Sequence, residues 1–196
     1  MIATCKKLQR GDDIKLRDGA AQVLLTHREI QERIAELGRQ IAGDYADRTP
    51  ILVAILRGGF LFQCDLARVA GIPLEVDFLS VSRFDPAAKG KTAVKVLHDL
   101  RSEIRGRHLI VVEGIRTGST KMEYVQTFLQ LREPASVSFA ALACHKNGRN
   151  HPVPLQYKGF DVGDTFVIGC GLDYCERYRN IPLIAAFTPA QERPGF

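Results

Sequence analysis

A single α/β domain built on a twisted, mostly parallel sheet is the fold class this sequence predicts, and three observations carry that prediction. Short apolar runs of the kind that form buried strands alternate with segments of helical period, an order that lays parallel strands side by side with helices over both faces. The chain has 196 residues, 45% of them apolar, enough for one full core with a modest accessory segment but not for a second independent domain. No repeat, low-complexity tract or linker interrupts residues 1–196, the tail after Pro189 aside.

The elements follow in order. Ile30, Ile34, Leu37 and Ile41 recur at spacings of four, three and four, one face of a helix read over residues 22–42, and Thr26 with Glu29 has the pattern of a capping box before that stripe. Ile51-Leu52-Val53-Ala54-Ile55 reads as a buried strand, broken by Gly58-Gly59 ahead of a helix from Phe60 to Ala70. Leu74 to Ser82 and Val94 to Leu97 are the next strands, separated by the polar stretch Arg83 to Thr92. A fourth strand, His108 to Val112, runs through Glu113-Gly114-Ile115-Arg116-Thr117-Gly118-Ser119-Thr120 into a helix ending near Leu131. Ala135 to Cys144 is a fifth strand and Phe166 to Gly169 a short sixth.

Composition narrows the function. Apolar runs such as Ile51 to Leu56 and Leu109 to Val112 fall far short of the roughly 18 residues of a membrane span. Met1 to Lys7 lacks an apolar stretch followed by a small-residue cleavage site, so no secretory signal is read and a cytoplasmic location is expected. Cys5, Cys64, Cys144, Cys170 and Cys175 are odd in number without a Cys-x-x-Cys pair, which argues against a disulfide framework and a zinc ribbon. His27, His98, His108, His145 and His151 show no ligand spacing. The net charge of +5 is spread among acids without aromatic interleaving, so an anionic small ligand accounts for it without nucleic acid.

Three motifs sit where strands end and helices begin. Arg116 to Thr120 offers hydroxyls, a glycine and a helix N-terminus to an anion, although a hydroxyl-rich helix cap looks the same. Leu56-Arg57-Gly58-Gly59 combines charge with a backbone an anion can approach, or is simply a tight turn. In Phe166 to Tyr174, with Arg179 following, an aromatic suits a flat base, Asp173 a metal or ring amino group and Arg179 a phosphate; each also has an ordinary structural reading.

Taken together, Ile55 to Phe60, Val76 to Ser82, His108 to Glu113 and Phe166 to Arg179 resemble the hypoxanthine-guanine phosphoribosyltransferases, from about residue 24 to residue 187. The resemblance implies a type I phosphoribosyltransferase fold, with a small hood from the N- and C-terminal segments and a mobile lid at 83–92 that includes Arg83 and Phe84. It implies transfer of ribose-5-phosphate from phosphoribosyl pyrophosphate to a purine, with Mg²⁺, in a homodimer or homotetramer. Arg116, Thr117, Gly118, Ser119 and Thr120 would wrap the 5′-phosphate; Leu56, Arg57, Gly58 and Arg179 would hold pyrophosphate. Phe166 would stack on the base, the Val167 backbone and Asp173 would contact it with His145 or Lys146, and Glu113 and Asp173 would serve the metal.

The sequence departs from the family at the catalytic loop. Val112 and Glu113 stand at the two usual acids, and Arg116 stands at the aspartate that accepts the base's proton, which a guanidinium cannot do. Arg83-Phe84 replaces a Ser-Tyr pair, and His145 aligns with a lysine that reads the base, with Lys146 one place on. The leading expectation is therefore a modified base, such as a carboxylated 7-deazapurine paired with Arg116. Ordinary hypoxanthine or guanine salvage, with the proton passing to water or Glu113, and a non-catalytic nucleotide-binding homologue are the alternatives.

Overall fold

The structure is a computed structural model that describes residues 7–84, 93–117, 120–146 and 152–190. Its strands are β1 (Asp13–Leu16), β2 (Gly19–Leu25), β3 (Ile51–Leu56), β4 (Glu75–Phe84), β5 (Ala93–His98), β6 (His108–Arg116), β7 (Ser136–His145), β8 (Tyr157–Gly163), β9 (Val167–Ile168) and β10 (Ile184–Pro189). Its helices are α1 (His27–Asp44), α2 (Phe60–Val69) and α3 (Lys121–Gln130).

The main sheet has the order β5-β4-β3-β6-β7-β8, parallel throughout except for the antiparallel β4/β5 pair at one edge. Strand β3 is wholly apolar because both its faces are covered. Leu52 joins the cluster under Ile30, Ile34, Leu37 and Ile41 of α1 and Phe62 and Leu66 of α2. Ile51, Val53 and Ile55 face the other cluster, under Met122, Val125 and Leu129 of α3. Each fully buried aliphatic side chain of the α1 stripe contributes about 1.5–3 kcal/mol. The Thr26/Glu29 capping box starts α1: the Thr26 hydroxyl accepts from the Glu29 N–H, and Glu29 accepts in return from the Thr26 N–H.

A second, four-stranded antiparallel sheet, β1-β2-β10-β9, draws on both ends of the chain around Val23, Ile168, Leu183, Ala185 and Phe187.

Several boundaries differ from the sequence expectation. Residues 22–25 belong to β2, so the first helix starts after Thr26 rather than at 22. The segment expected as the sixth strand is only Val167–Ile168 and sits in the small sheet; the sixth strand of the main sheet is β8. Gly159 interrupts β8 and hides its strand pattern, yet it is required there, because a Cβ would run into the Leu142 carbonyl of β7. Strand β6 continues four residues beyond Val112, which makes Arg116 a strand residue rather than part of a loop.

No helix among the described residues is long and apolar enough to cross a membrane, and no disulfide joins Cys64, Cys144, Cys170 and Cys175.

Candidate functional site

The sheet order reverses between its two central strands. From β3 the chain crosses by α2 to β4 on one side; from β6 it crosses by α3 to β7 on the other. Neighbouring loops that leave in opposite directions open a crevice beyond the carboxyl ends of β3 and β6, the usual ligand position in open α/β sheets. The loops here are Leu56–Gly59 and the segment after Arg116.

Three glycines seat the Leu56–Gly59 loop against strand β6 and against the chain at Gly171. A Cβ on Gly114 would lie 2.5 Å from the Gly58 carbonyl oxygen and 2.9 Å from the Leu172 side chain. Gly171, at φ +97°, is pressed against the same carbonyl, and Gly59 against the carbonyl of Val112. The Leu56–Arg57 peptide bond is cis. A cleft of about 80 Å³ remains between the loops, lined by Leu56, Gly58, Glu113, Gly114, Lys121 and Leu172 among others.

On one rim lies a charged network. Asp173 Oδ1 is 2.8 Å from Arg179 Nη2, and Asp173 Oδ2 accepts from the Glu176 N–H at 2.8 Å. Arg179 also donates to the Gly171 carbonyl at 2.7 Å, which ties it to the glycine contact. Glu176 pairs with Arg179 at 2.9 Å and with Arg57 at 2.5 Å. Hydrogen bonding from Arg179, with the charges of Arg179 and Arg57, holds the Glu176 carboxyl below the usual carboxylate range.

On the other side, Phe166 precedes β9 with 51% of its surface exposed, edge-on to Tyr174 at 6.0 Å between ring centroids. Among the described residues strand β9 is the edge of the small sheet, bonded to β10 alone, so the Val167 backbone belongs to a row of groups on an open edge. His145, at the end of β7, lies 3.2 Å through Nε2 from the Thr165 carbonyl. A carbonyl only accepts, so Nε2 carries the proton in that contact. Lys146 is exposed.

Arg116 does not stand where the sequence expectation puts it. Its guanidinium is 1% exposed, donates to the Val153 carbonyl, lies 5.7 Å from the Phe139 ring centroid and sits 3.7 Å from Glu113. Burial pulls its pKa down, opposed by the charge of Glu113. The Arg116 side chain is thus enclosed by protein rather than facing the crevice. The partners that draw it inward come from β7 and residue 153, remote in sequence. Glu113, 4% exposed, takes Lys121 at 3.1 Å on its other oxygen.

Thr120 is the N-cap of α3 and makes no capping hydrogen bond through its side chain, while Thr117 is partly buried; Gly118 and Ser119 lie outside the described residues. Arg83 and Phe84 form the last backbone positions of β4, paired with Val94 and Ala93; residues 85–92 of the expected lid lie outside the described residues. No role is read from sequence for Lys121, Gly171 or Glu176. The one signal for Glu176 is its spacing of three from both Asp173 and Arg179.

Among the described residues no group of three or more His, Cys, Asp or Glu side chains could hold a metal. Magnesium commonly takes one or two carboxylates and completes its shell with water and substrate phosphates. Asp173, its side chain 26% exposed beside Arg179, fits that pattern. Glu113, with a cation facing each oxygen, fits it less well.

Comparison with known proteins gives one consistent result. The sequence profile of the phosphoribosyl transferase domain matches residues 21–175. Hypoxanthine phosphoribosyltransferase of Salmonella typhimurium is 39% identical over 165 residues, covering 83% of this chain and 93% of that protein. Hypoxanthine-guanine phosphoribosyltransferase of Bacillus subtilis is 33% identical over 169 residues, covering 86% and 94%. The crystal structure of a hypoxanthine phosphoribosyltransferase from Staphylococcus aureus superimposes with a TM-score of 0.80 at 33% identity, covering 86% of this chain and 91% of that one. The Trypanosoma cruzi hypoxanthine phosphoribosyltransferase in complex with the product IMP gives 0.79 at 30% identity, covering 90% and 98%.

Proposed function

The chain belongs to the phosphoribosyltransferase family, in its hypoxanthine-guanine branch, and from that premise we propose that it is an ordinary purine-salvage enzyme, transferring ribose-5-phosphate from phosphoribosyl pyrophosphate to hypoxanthine or guanine. The observation that carries this reading is the burial of Arg116. The case for a carboxylated 7-deazapurine rested on that guanidinium meeting the substrate, and a side chain 1% exposed against Val153 and Phe139 gives such a base no partner. The similar proteins named for hypoxanthine, one of them solved with IMP, support the same choice.

On this reading Phe166 stacks on the base, and Val167, on the open edge of β9, offers its backbone to the ring edge, with His145 and Lys146 at the end of the neighbouring β7. Base-aromatic stacking is worth about 1–3 kcal/mol. The 5′-phosphate lies at the N-terminus of α3, near Thr117 and Thr120, where unpaired N–H groups favour anions. Arg57, the Gly58 backbone and Arg179 hold pyrophosphate. Asp173 would hold Mg²⁺ together with pyrophosphate oxygens, and the bound ion would neutralise charge on the leaving group. Attack by the ring nitrogen breaks the bond between C1′ and pyrophosphate, and the base's proton passes to water, since Arg116 cannot accept it. The lid at 83–92 would exclude water during the step, in a single domain that works as a homodimer or homotetramer.

Turnover with phosphoribosyl pyrophosphate and Mg²⁺ on a panel of hypoxanthine, guanine and 7-carboxy-7-deazaguanine tests the assignment, with nucleotide followed by ultraviolet absorbance. Hypoxanthine or guanine should be the best acceptor. Preference for the carboxylated base would overturn the reading; tight phosphoribosyl pyrophosphate binding without turnover of any base would make the protein a nucleotide-binding homologue.

A further inference from the structure

Glu176 has no part in the reading above, yet it touches both arginines assigned to pyrophosphate. Its Oε1 lies 2.5 Å from Arg57 Nη2 and its Oε2 lies 2.9 Å from Arg179 Nη2. A carboxylate with one oxygen on each of two guanidinium groups offers them the charge and the pair of acceptors that a phosphoryl group would. We propose that Glu176 is an internal stand-in for pyrophosphate, holding Arg57 and Arg179 until substrate or product takes them and thereby setting how tightly pyrophosphate is held and how fast it leaves. This rests on assigning Arg57 and Arg179 to pyrophosphate.

The backbone places the carboxylate for that role. Cys175, Glu176 and Tyr178 have φ of 50°, 64° and 73°, a left-handed conformation that residues other than glycine seldom adopt and that persists only where the surroundings enforce it. Here the enforcement is visible. Arg177 reaches both oxygens of Asp18 at 2.8 Å, the Tyr178 hydroxyl donates to Asp18 at 2.6 Å, and the Glu176 N–H is fixed on Asp173.

The exchange is energetically easy. The Arg57 and Glu176 side chains are 65% and 56% exposed, and ion pairs in water shift an equilibrium by no more than about fivefold each. Arg179 does not lose its alignment when Glu176 lets go, because Asp173 and the Gly171 carbonyl still hold it. Glu176 therefore competes for the arginines more than it supports them.

Calorimetric binding of Mg²⁺-pyrophosphate to the full chain and to Glu176→Gln and Glu176→Asp tests the proposal, alongside steady-state kinetics. Glu176→Gln, which keeps the side chain's size, should bind pyrophosphate about tenfold more tightly, the combined weight of two exposed pairs. Its kcat should fall as release slows, with KM for the base falling alongside it. Glu176→Asp, charged but too short to span both arginines, should lie between. Weaker or unchanged pyrophosphate binding by Glu176→Gln overturns the proposal, the weaker case meaning that the carboxylate merely orients the arginines. Failure of the underlying assignment gives a different signature: Arg57→Ala and Arg179→Ala would bind pyrophosphate as the unaltered chain does, or the unaltered chain would not bind it.

Discussion

Gly114→Ala places one methyl group where strand β6 meets the Leu56–Gly59 loop of the crevice. The added carbon would stand 2.5 Å from the Gly58 carbonyl oxygen, 2.9 Å from the Gly58 carbonyl carbon and 2.9 Å from Leu172 Cδ2. Leu172 can rotate, but the carbonyl moves only with the Leu56–Gly59 backbone. Reaching ordinary contact at 3.4 Å requires a retreat of roughly 0.9 Å. Displacing a substrate-positioning group by about 1 Å costs on the order of 100-fold in rate, and overpacking a tight contact costs about 1–3 kcal/mol of stability. The variant should therefore fold and lose about 100-fold in kcat/KM for phosphoribosyl pyrophosphate at saturating hypoxanthine. Gly43→Ala, near the end of α1 with nothing within 4 Å of the new Cβ, is the matched control and should keep full activity. Steady-state kinetics with thermal unfolding of all three proteins separates the two effects. A folded Gly114→Ala enzyme within threefold of the unaltered kcat/KM would refute the claim that this glycine contact positions the pyrophosphate loop.

Two other substitutions probe different parts of the molecule. Phe166→Ala removes a ring that is already half exposed, so stability should change by about 1 kcal/mol while KM for the base rises about 5- to 150-fold; a shift in KM for phosphoribosyl pyrophosphate alone would contradict the stacking role. Asp77 accepts from the Phe78, Arg101 and Ser102 N–H groups at 2.7, 2.9 and 2.8 Å, and these donors outweigh a burial effect that by itself would raise its pKa, leaving it depressed. Its contribution is thus fully present above the unfolded pKa of about 3.9 and disappears as pH falls through the lower folded value. Asp77→Asn turns an amide toward at least one of those donors and should cost about 2–4 kcal/mol at pH 7 in urea unfolding, the gap closing in acid; a pH-independent gap would show that the charge is irrelevant.

The parts of the fold legible in the sequence were those whose signals are local. Ile51 to Ile55 reads as a buried strand because every residue in it is apolar and Gly58-Gly59 ends it, and Thr26 with Glu29 marks a helix start through bonds three residues apart. Strands β1, β2, β8 and β10 lacked such signals: β8 is broken by Gly159, and Val23, Leu24 and Leu25 read as the start of a helical stripe although Thr26 already marked its true beginning. The site divides in the same way. That Arg116 cannot accept a proton is chemistry carried by the residue itself. That it is buried depends on Phe139 and Val153, which only the tertiary fold brings to it. Glu176 was hidden for the same reason, since Arg57 is 119 positions away.

The small sheet is sewn from opposite ends of the polypeptide, with β10 lying between β2 and β9. Strand β10 therefore follows every strand of the main sheet in the sequence, although it closes a sheet that begins with β1 and β2. During translation the main sheet and the crevice between β3 and β6 can form while the small sheet that holds Phe166 is still unfinished. A nascent chain halted before residue 184 would have the main sheet without the strand that pairs with β9 and carries Phe187 against Phe166.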